Sequence, residues 1–166
     1  MGWLYERLRA WPKVSKLEEA VGRGVAFARG KPQSFHDIPL SSISPSSWAS
    51  TSQLLSDVGS FVLPCDKLEA LVAVAHAIPT LHQAEHPPGP GGSSSGREGG
   101  GGQLGADELL PVFIYVLVNS SLEEPALLAL VLETLCDPTK VIGEAGFCLA
   151  TLSAALKHLT TIGSAE

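Results

Sequence analysis

Apolar positions recur along this chain at the spacing of helices, and no stretch shows the strict alternation of a half-buried strand. Leu4, Leu8 and Trp11 share one face before Pro12. Val14, Leu17, Val21, Val25 and Ala28 continue at helical spacing, so residues 1–29 read as helix with a break. Gly22 and Gly24 weaken the second stretch. Residues 31–50 are rich in Pro and Ser and read as loop with one short turn. Ser50 or Thr51 is expected to cap a helix running to about Phe61, and Pro64 to open another from Cys65 to about Leu81 with Leu68, Leu71, Val72 and Ala75 inward. Asp107 to about Val118 is apolar almost all round, which predicts burial at the domain centre. Pro125–Cys136 follows and Pro138 stops it; the last helix runs from near Gly143 to about Leu159. The class is all-α: a layered helical bundle of about six helices.

Pro87 to Gly102 interrupts this pattern with eight glycines, three prolines and three consecutive serines. Such a segment cannot bury apolar surface, and it reads as a disordered Gly/Pro/Ser-rich loop. Gly92-Ser93-Ser94-Ser95-Gly96 spells the G-x-S-x-G of a hydrolase nucleophile elbow, but no strand precedes it, as that motif requires. The flanks are too short to be two domains. Residues 1–50 are expected to be a helical and loop extension that starts the same domain as 51–160, with 87–102 as a flexible insertion.

Composition narrows the function. The 166 residues are 45% apolar and 17% charged, enough for a core. Three cysteines without a C-x-x-C pair exclude a disulfide scaffold and the usual zinc spacings, so no metal is expected. The longest apolar run, Leu109 to Val118, is about half a membrane span, and Glu6, Arg7 and Arg9 interrupt any N-terminal signal pattern. A soluble intracellular domain is the expectation. The net charge of −6 is uneven: residues 104–166 carry eight carboxylates against Lys140 and Lys157, whereas residues 1–31 carry seven basic groups and three acidic ones. An acidic C-terminal half argues against nucleic acid and suits a partner presenting cations. A basic amphipathic N-terminus could touch a membrane, although its apolar stripe also suits packing on the domain.

Two places carry candidate chemistry. Asp107 and Glu108 sit in the first turn of the most apolar helix, where carboxylates favour the free N–H groups. Pro111 lies four residues on, cannot bond the Asp107 carbonyl and crowds it. In the last helix Leu149, Leu152, Leu156 and Leu159 form the core face. Phe147 lies about 200° from Leu149 and points away, together with Ala150, Thr151, Ala154 and His158. Cys136, Cys148 and His158 lack metal spacing, His76, His82 and His86 read as solvated, and no G-x-x-x-x-G-K-[ST] is present.

Gly105-Ala106-Asp107-Glu108-Leu109-Leu110-Pro111-Val112, followed by Ile114-Tyr115-Val116-Leu117, resembles the core helix of the Vps-nine (vacuolar protein sorting nine) domain family. Leu135-Cys136-Asp137-Pro138 and Gly143-Glu144-Ala145-Gly146-Phe147 resemble its next two signatures in order, and Leu63-Pro64-Cys65-Asp66-Lys67-Leu68 is similar to its Pro-x-x-Lys-Leu segment. The resemblance is good over about 54–159 and faint over 1–50. It implies an all-helical guanine-nucleotide exchange factor, cytoplasmic and peripheral on early endosomes, that promotes GDP release from endosomal Rab GTPases of the Rab five group. It implies a monomer, no cofactor and an endocytic, vesicle-trafficking role. By resemblance Asp107 is the catalytic acidic finger, which engages the GTPase phosphate-loop lysine in place of phosphate and magnesium. Glu108, Pro111, Phe147, Ala150 and Thr151 belong to the GTPase groove, and Gly143 and Glu144 to the structural start of the last helix. A charged hydrogen bond of about 1.5–3 kcal/mol formed only as nucleotide leaves accelerates release roughly tenfold to a hundredfold.

The chain departs from the family pattern in three ways. Phe147 stands where the family usually has Tyr, Ala150 where it often has Thr, and one residue is missing between Cys136 and Gly143. Each lost hydroxyl removes about 0.5–1.5 kcal/mol if its bond is made in the complex. The alternative is therefore a Rab-binding module with weak or no exchange.

Overall fold

A computed structural model of the chain describes residues 2–87 and 104–164. Among these residues there are helices and no strands: α1 (Gly2–Arg9), α2 (Pro12–Ala28), α3 (Ala49–Asp57), α4 (Pro64–Glu85), α5 (Ala106–Asn119), α6 (Pro125–Leu135) and α7 (Glu144–Ile162). Short 3-10 turns occupy Gln33–His36, Leu40–Ser42 and Val58–Ser60. Pro87 apart, the insertion at 87–102, with its Gly92–Gly96 stretch, lies outside the described residues.

Helices α2, α4 and α6 each begin on a proline, which has no N–H to leave unpaired and a preset helical φ. The expected cap of α3 differs. The helix starts at Ala49 behind Trp48, which is in the left-handed region at φ 56°, and Thr51 donates its hydroxyl to the Trp48 carbonyl at 2.8 Å. Trp48 is fully buried, and its indole N–H donates to Gln33 Oε1 at 3.0 Å. Burying a tryptophan with its N–H satisfied outweighs the small cost of a left-handed residue. Helix α4 continues past the predicted Leu81 to Glu85 through Pro79, and the Thr80 hydroxyl bonds the His76 carbonyl at 2.8 Å.

Helix α5 lies at the centre: Val112 to Val118 are all buried, as their all-round apolar pattern predicts. The leucine stripe Leu149, Leu152, Leu156 and Leu159 of α7 is buried too. By length and a mean hydropathy of 1.2, α7 is long and apolar enough to cross a membrane, but that stripe packs into the core beside α2, α4, α5 and α6.

Helix α2 closes the far side of α7. A Cβ on Gly24 would meet the Leu159 carbonyl oxygen at 2.0 Å, and one on Gly163 would meet the Gly24 nitrogen at 2.6 Å. The two helices cross backbone to backbone, so the glycine that weakens α2 locally is what admits the contact. Nearer the middle of α2, Glu18 Oε1 accepts the Leu127 N–H at 2.6 Å and caps α6 from outside. Burial raises the Glu18 carboxyl above its ordinary range, against the backbone bonds from Leu127 and Ala126. Arg9 clasps both Glu124 carboxylate oxygens at 2.5 and 2.6 Å, fastening α1 to the same helix start.

The chain between α2 and α3 runs back along α5. Arg29 donates to the Val118 and Ser120 carbonyls at the C-terminal end of α5, where a cation also suits the helix dipole. His36 meets Tyr115 edge-on at 5.2 Å. Ser42 then reaches Glu108 at the N-terminal end.

Candidate functional site

The first turn of α5 sends its two carboxylates in different directions. Glu108 is half-buried: its Oε2 accepts the Gly105 N–H at 2.7 Å and its Oε1 accepts the Ser42 hydroxyl at 3.1 Å. Gly105 has no side chain to return a capping bond, so its carbonyl takes the Glu108 N–H at 3.0 Å. Asp107 is exposed, and its carboxylate has no hydrogen-bond partner among the described residues. Glu108 thus holds the turn while Asp107 projects from it. Pro111, half-buried within the helix, cannot bond the Asp107 carbonyl.

The start of α7 is shaped by Gly143, with φ 66° and ψ −127°, a conformation that strains any residue with a Cβ. Its carbonyl accepts the Phe147 N–H at 2.9 Å. Phe147 is 55% exposed, Ile142 just before the helix is 72% exposed, and Ala150 is exposed one turn on from Phe147. Glu144 is bonded to His76 of α4, a pair that ties α7 to its neighbour at the surface. Thr151 does not share the Phe147 face. It is buried, and its hydroxyl donates to the Phe147 carbonyl at 2.9 Å. A threonine in mid-helix satisfies its hydroxyl on the carbonyl four residues back, which spends the hydroxyl proton within the helix.

Helices α4, α5 and α7, which carry His76, the Asp107 turn and Phe147, pack on one another. Ile142 and Leu40 were not singled out by sequence, and His76, read as solvated, is exposed but paired with Glu144. Leu40, 84% exposed, precedes Ser42 by two residues and so sits close to the Glu108 turn. Of these, only Ile142, an apolar residue stranded in a polar connector, carried a sequence signal.

His82 is not solvated. It is buried, stacked on Trp48 at a ring distance of 6.5 Å and on His86 at 4.4 Å. Burial holds its pKa below the ordinary value, and the neighbouring His86 adds to this. Cys136 and Cys148 are buried as small hydrophobes, and burial raises both thiols.

The vacuolar sorting protein 9 (VPS9) domain matches residues 48–164, well over half of the chain. The chain belongs to the VPS9 domain family. This is a domain of the Rab guanine-nucleotide-exchange type. Among curated proteins, Ras and Rab interactor 3 of Homo sapiens is 41% identical over 59 residues, which are 36% of this chain and 6% of the relative. Ras and Rab interactor 1 of Homo sapiens is 41% identical over 62 residues, 37% of this chain and 8% of the relative. Protein sprint of Drosophila melanogaster is 34% identical over 104 residues, 63% of this chain and 5% of the relative. The chain therefore spans less than a tenth of the length of the curated relatives it matches.

The VPS9 match begins at Trp48, the residue that the preceding segment buries. Gln33 alone supplies three bonds there: to the Trp48 indole, to the Ser44 N–H at 2.9 Å and to the Ser44 carbonyl at 2.8 Å. Residues upstream of the match thus pack on the VPS9 domain just before α3.

Proposed function

We propose that this VPS9 domain accelerates GDP release from an endosomal Rab GTPase of the Rab five group, with Asp107 as the acidic finger. The observation that carries this reading is the division of labour in the first turn of α5. Glu108 is locked to Gly105 and Ser42, while Asp107 is exposed on a turn that those bonds keep rigid. A carboxylate held in place loses little entropy when it meets a lysine, so more of the charged hydrogen bond reaches the nucleotide-free complex. Phe147 and Ala150 line the groove for the GTPase switch regions, with Pro111 shaping its wall, and Gly143 and Glu144 set the start of α7. Glu108 and Thr151 support the groove from within instead of facing the partner. The names of the Ras and Rab interactor relatives support a Rab as the partner. The working form is a monomer, cytoplasmic and peripheral on early endosomes.

A second reading, a Rab-binding module without exchange, is favoured by one observation. The outer face of α7 offers the carbon side chains Phe147 and Ala150, and the nearby Thr151 hydroxyl is spent on the backbone. Release of a fluorescent guanine nucleotide from a panel of Rab GTPases separates the two. Under the exchange reading the chain accelerates release on an endosomal Rab, and Asp107→Ala cuts the acceleration by roughly tenfold to a hundredfold with an unchanged melting curve. Tight binding to nucleotide-free Rab with no acceleration on any member establishes the binding module instead.

A further inference from the structure

The outer face of α2 is basic and aromatic on a protein whose net charge is −6. Val14, Val21, Gly24 and Ala28 turn inward, and Lys16, Arg23 and Phe27, seven and four residues apart, share the opposite face. All three are exposed. The Gln33–His36 turn carries this face further: Phe27 and Phe35, 40% and 42% exposed, meet edge to face at 6.0 Å. The Lys31 ammonium lies 5.4 Å from the Phe27 ring and 5.7 Å from the Phe35 ring. Glu19 is the carboxylate on the helix face itself, and Asp37 sits at its far edge.

We propose that this face docks on an anionic lipid bilayer, with Lys16, Arg23 and Lys31 at the headgroups and the Phe27–Phe35 pair in the interfacial layer. The charge pattern selects the occupant. A neutral protein partner gains nothing from cations on either side of an aromatic pair. An anionic leaflet pairs with every cation and accepts exposed rings at its boundary. The position also fits. Arg29, two residues from Lys31, is bonded at the C-terminal end of α5, while Asp107 lies at the other end, about 20 Å away along a 14-residue helix. Bound lipid therefore leaves the Asp107 turn open.

Co-sedimentation with phosphatidylcholine vesicles, with and without phosphatidylserine, tests this. Binding is expected only to the phosphatidylserine vesicles and to weaken with added salt. Each neutralised cation removes about fivefold of the partition, so Lys16→Ala/Arg23→Ala/Lys31→Ala loses on the order of a hundredfold. Phe27→Ser/Phe35→Ser loses about tenfold at unchanged net charge. Lys140→Ala, which removes one cation between α6 and α7, is expected to bind like the unmodified chain, whereas Arg23→Ala does not. The basic side chains are exposed, so the melting curves of their variants stay unchanged, as does nucleotide release in the absence of vesicles; the Phe27→Ser/Phe35→Ser protein loses some stability with its ring pair and is compared at a temperature where it is fully folded. Equal binding to both vesicle types overturns the proposal, as does a triple variant that still binds or a Lys140→Ala loss matching that of Arg23→Ala.

Discussion

The two ends of α7 are built for opposite tasks. Its C-terminal half is locked: Leu152, Ala155, Leu156 and Leu159 are buried, and Gly24 and Gly163 bring α2 into backbone contact with it. Its N-terminal end leaves Phe147 and Ala150 open and holds to its surroundings at the surface through the Glu144–His76 pair. An exposed phenylalanine adds little to folding, because most of its ring stays in water. Stability and recognition are thus separated along one helix, and a substitution at one end should leave the other end's property intact.

The largest effect is expected at the locked end. Gly24→Ala places a Cβ 2.0 Å from a backbone oxygen, and neither helix can yield without parting the crossing. A loss of about 3 kcal/mol or more is expected in urea unfolding, while nucleotide release per folded molecule is retained. Loss of release in a fully folded Gly24→Ala protein would break the separation.

Next comes pH, acting on two buried histidines outside α7. Burial lowers the pKa of both His36 and His82. Each is therefore neutral in the folded chain where the unfolded chain would already bind a proton. The stability this confers is complete above the ordinary histidine pKa of about 6.5 and falls as pH drops below it, by at most about 1.4 kcal/mol per pH unit for each histidine. Urea midpoints measured above and below that value check the direction. A midpoint that rises on acidification would place a charged partner beside one of the rings.

His82 also shows where the sequence stopped being informative. Runs and stripes within one element were legible: the all-round apolar body of α5, the leucine face of α7, the prolines that open helices. Facts that depend on a second element were not. Gly24 reads as a weak point in α2 until Leu159 is known to lie against it. His82 reads as solvated until Trp48, 34 residues earlier, stacks on it. Thr151 reads as outer by its angle until the neighbouring elements bury it. The candidate site divides the same way. Exposure of Phe147 and Ala150 follows from helical spacing alone, whereas one of the two bonds that separate Glu108 from Asp107 comes from Ser42, 66 residues away.

At the open end of α7 the changes should move function and leave stability alone. Phe147→Tyr adds a hydroxyl at a position already in water, so folding should change by less than about 0.5 kcal/mol. If the GTPase offers that hydroxyl a partner, release should accelerate by up to about tenfold. Phe147→Ser should weaken binding to nucleotide-free Rab with the same melting curve. An unaltered affinity would move the groove away from this face.

The smallest effect is expected from His76→Ala. Both members of the His76–Glu144 pair are well over half exposed, at 60% and 58%, so water and salt screen them. Holding two side chains in one geometry also costs entropy, and the pair should contribute no more than about 0.5 kcal/mol. Its value to the domain is then positional. It joins α4 to the first turn of α7, next to the left-handed φ of 66° at Gly143. If that is its role, His76→Ala leaves urea unfolding unchanged and slows nucleotide release by a few-fold. A clear loss of stability in His76→Ala would mean that the open end of α7 also helps hold the fold, and the contrast between its two ends would shrink to one of degree.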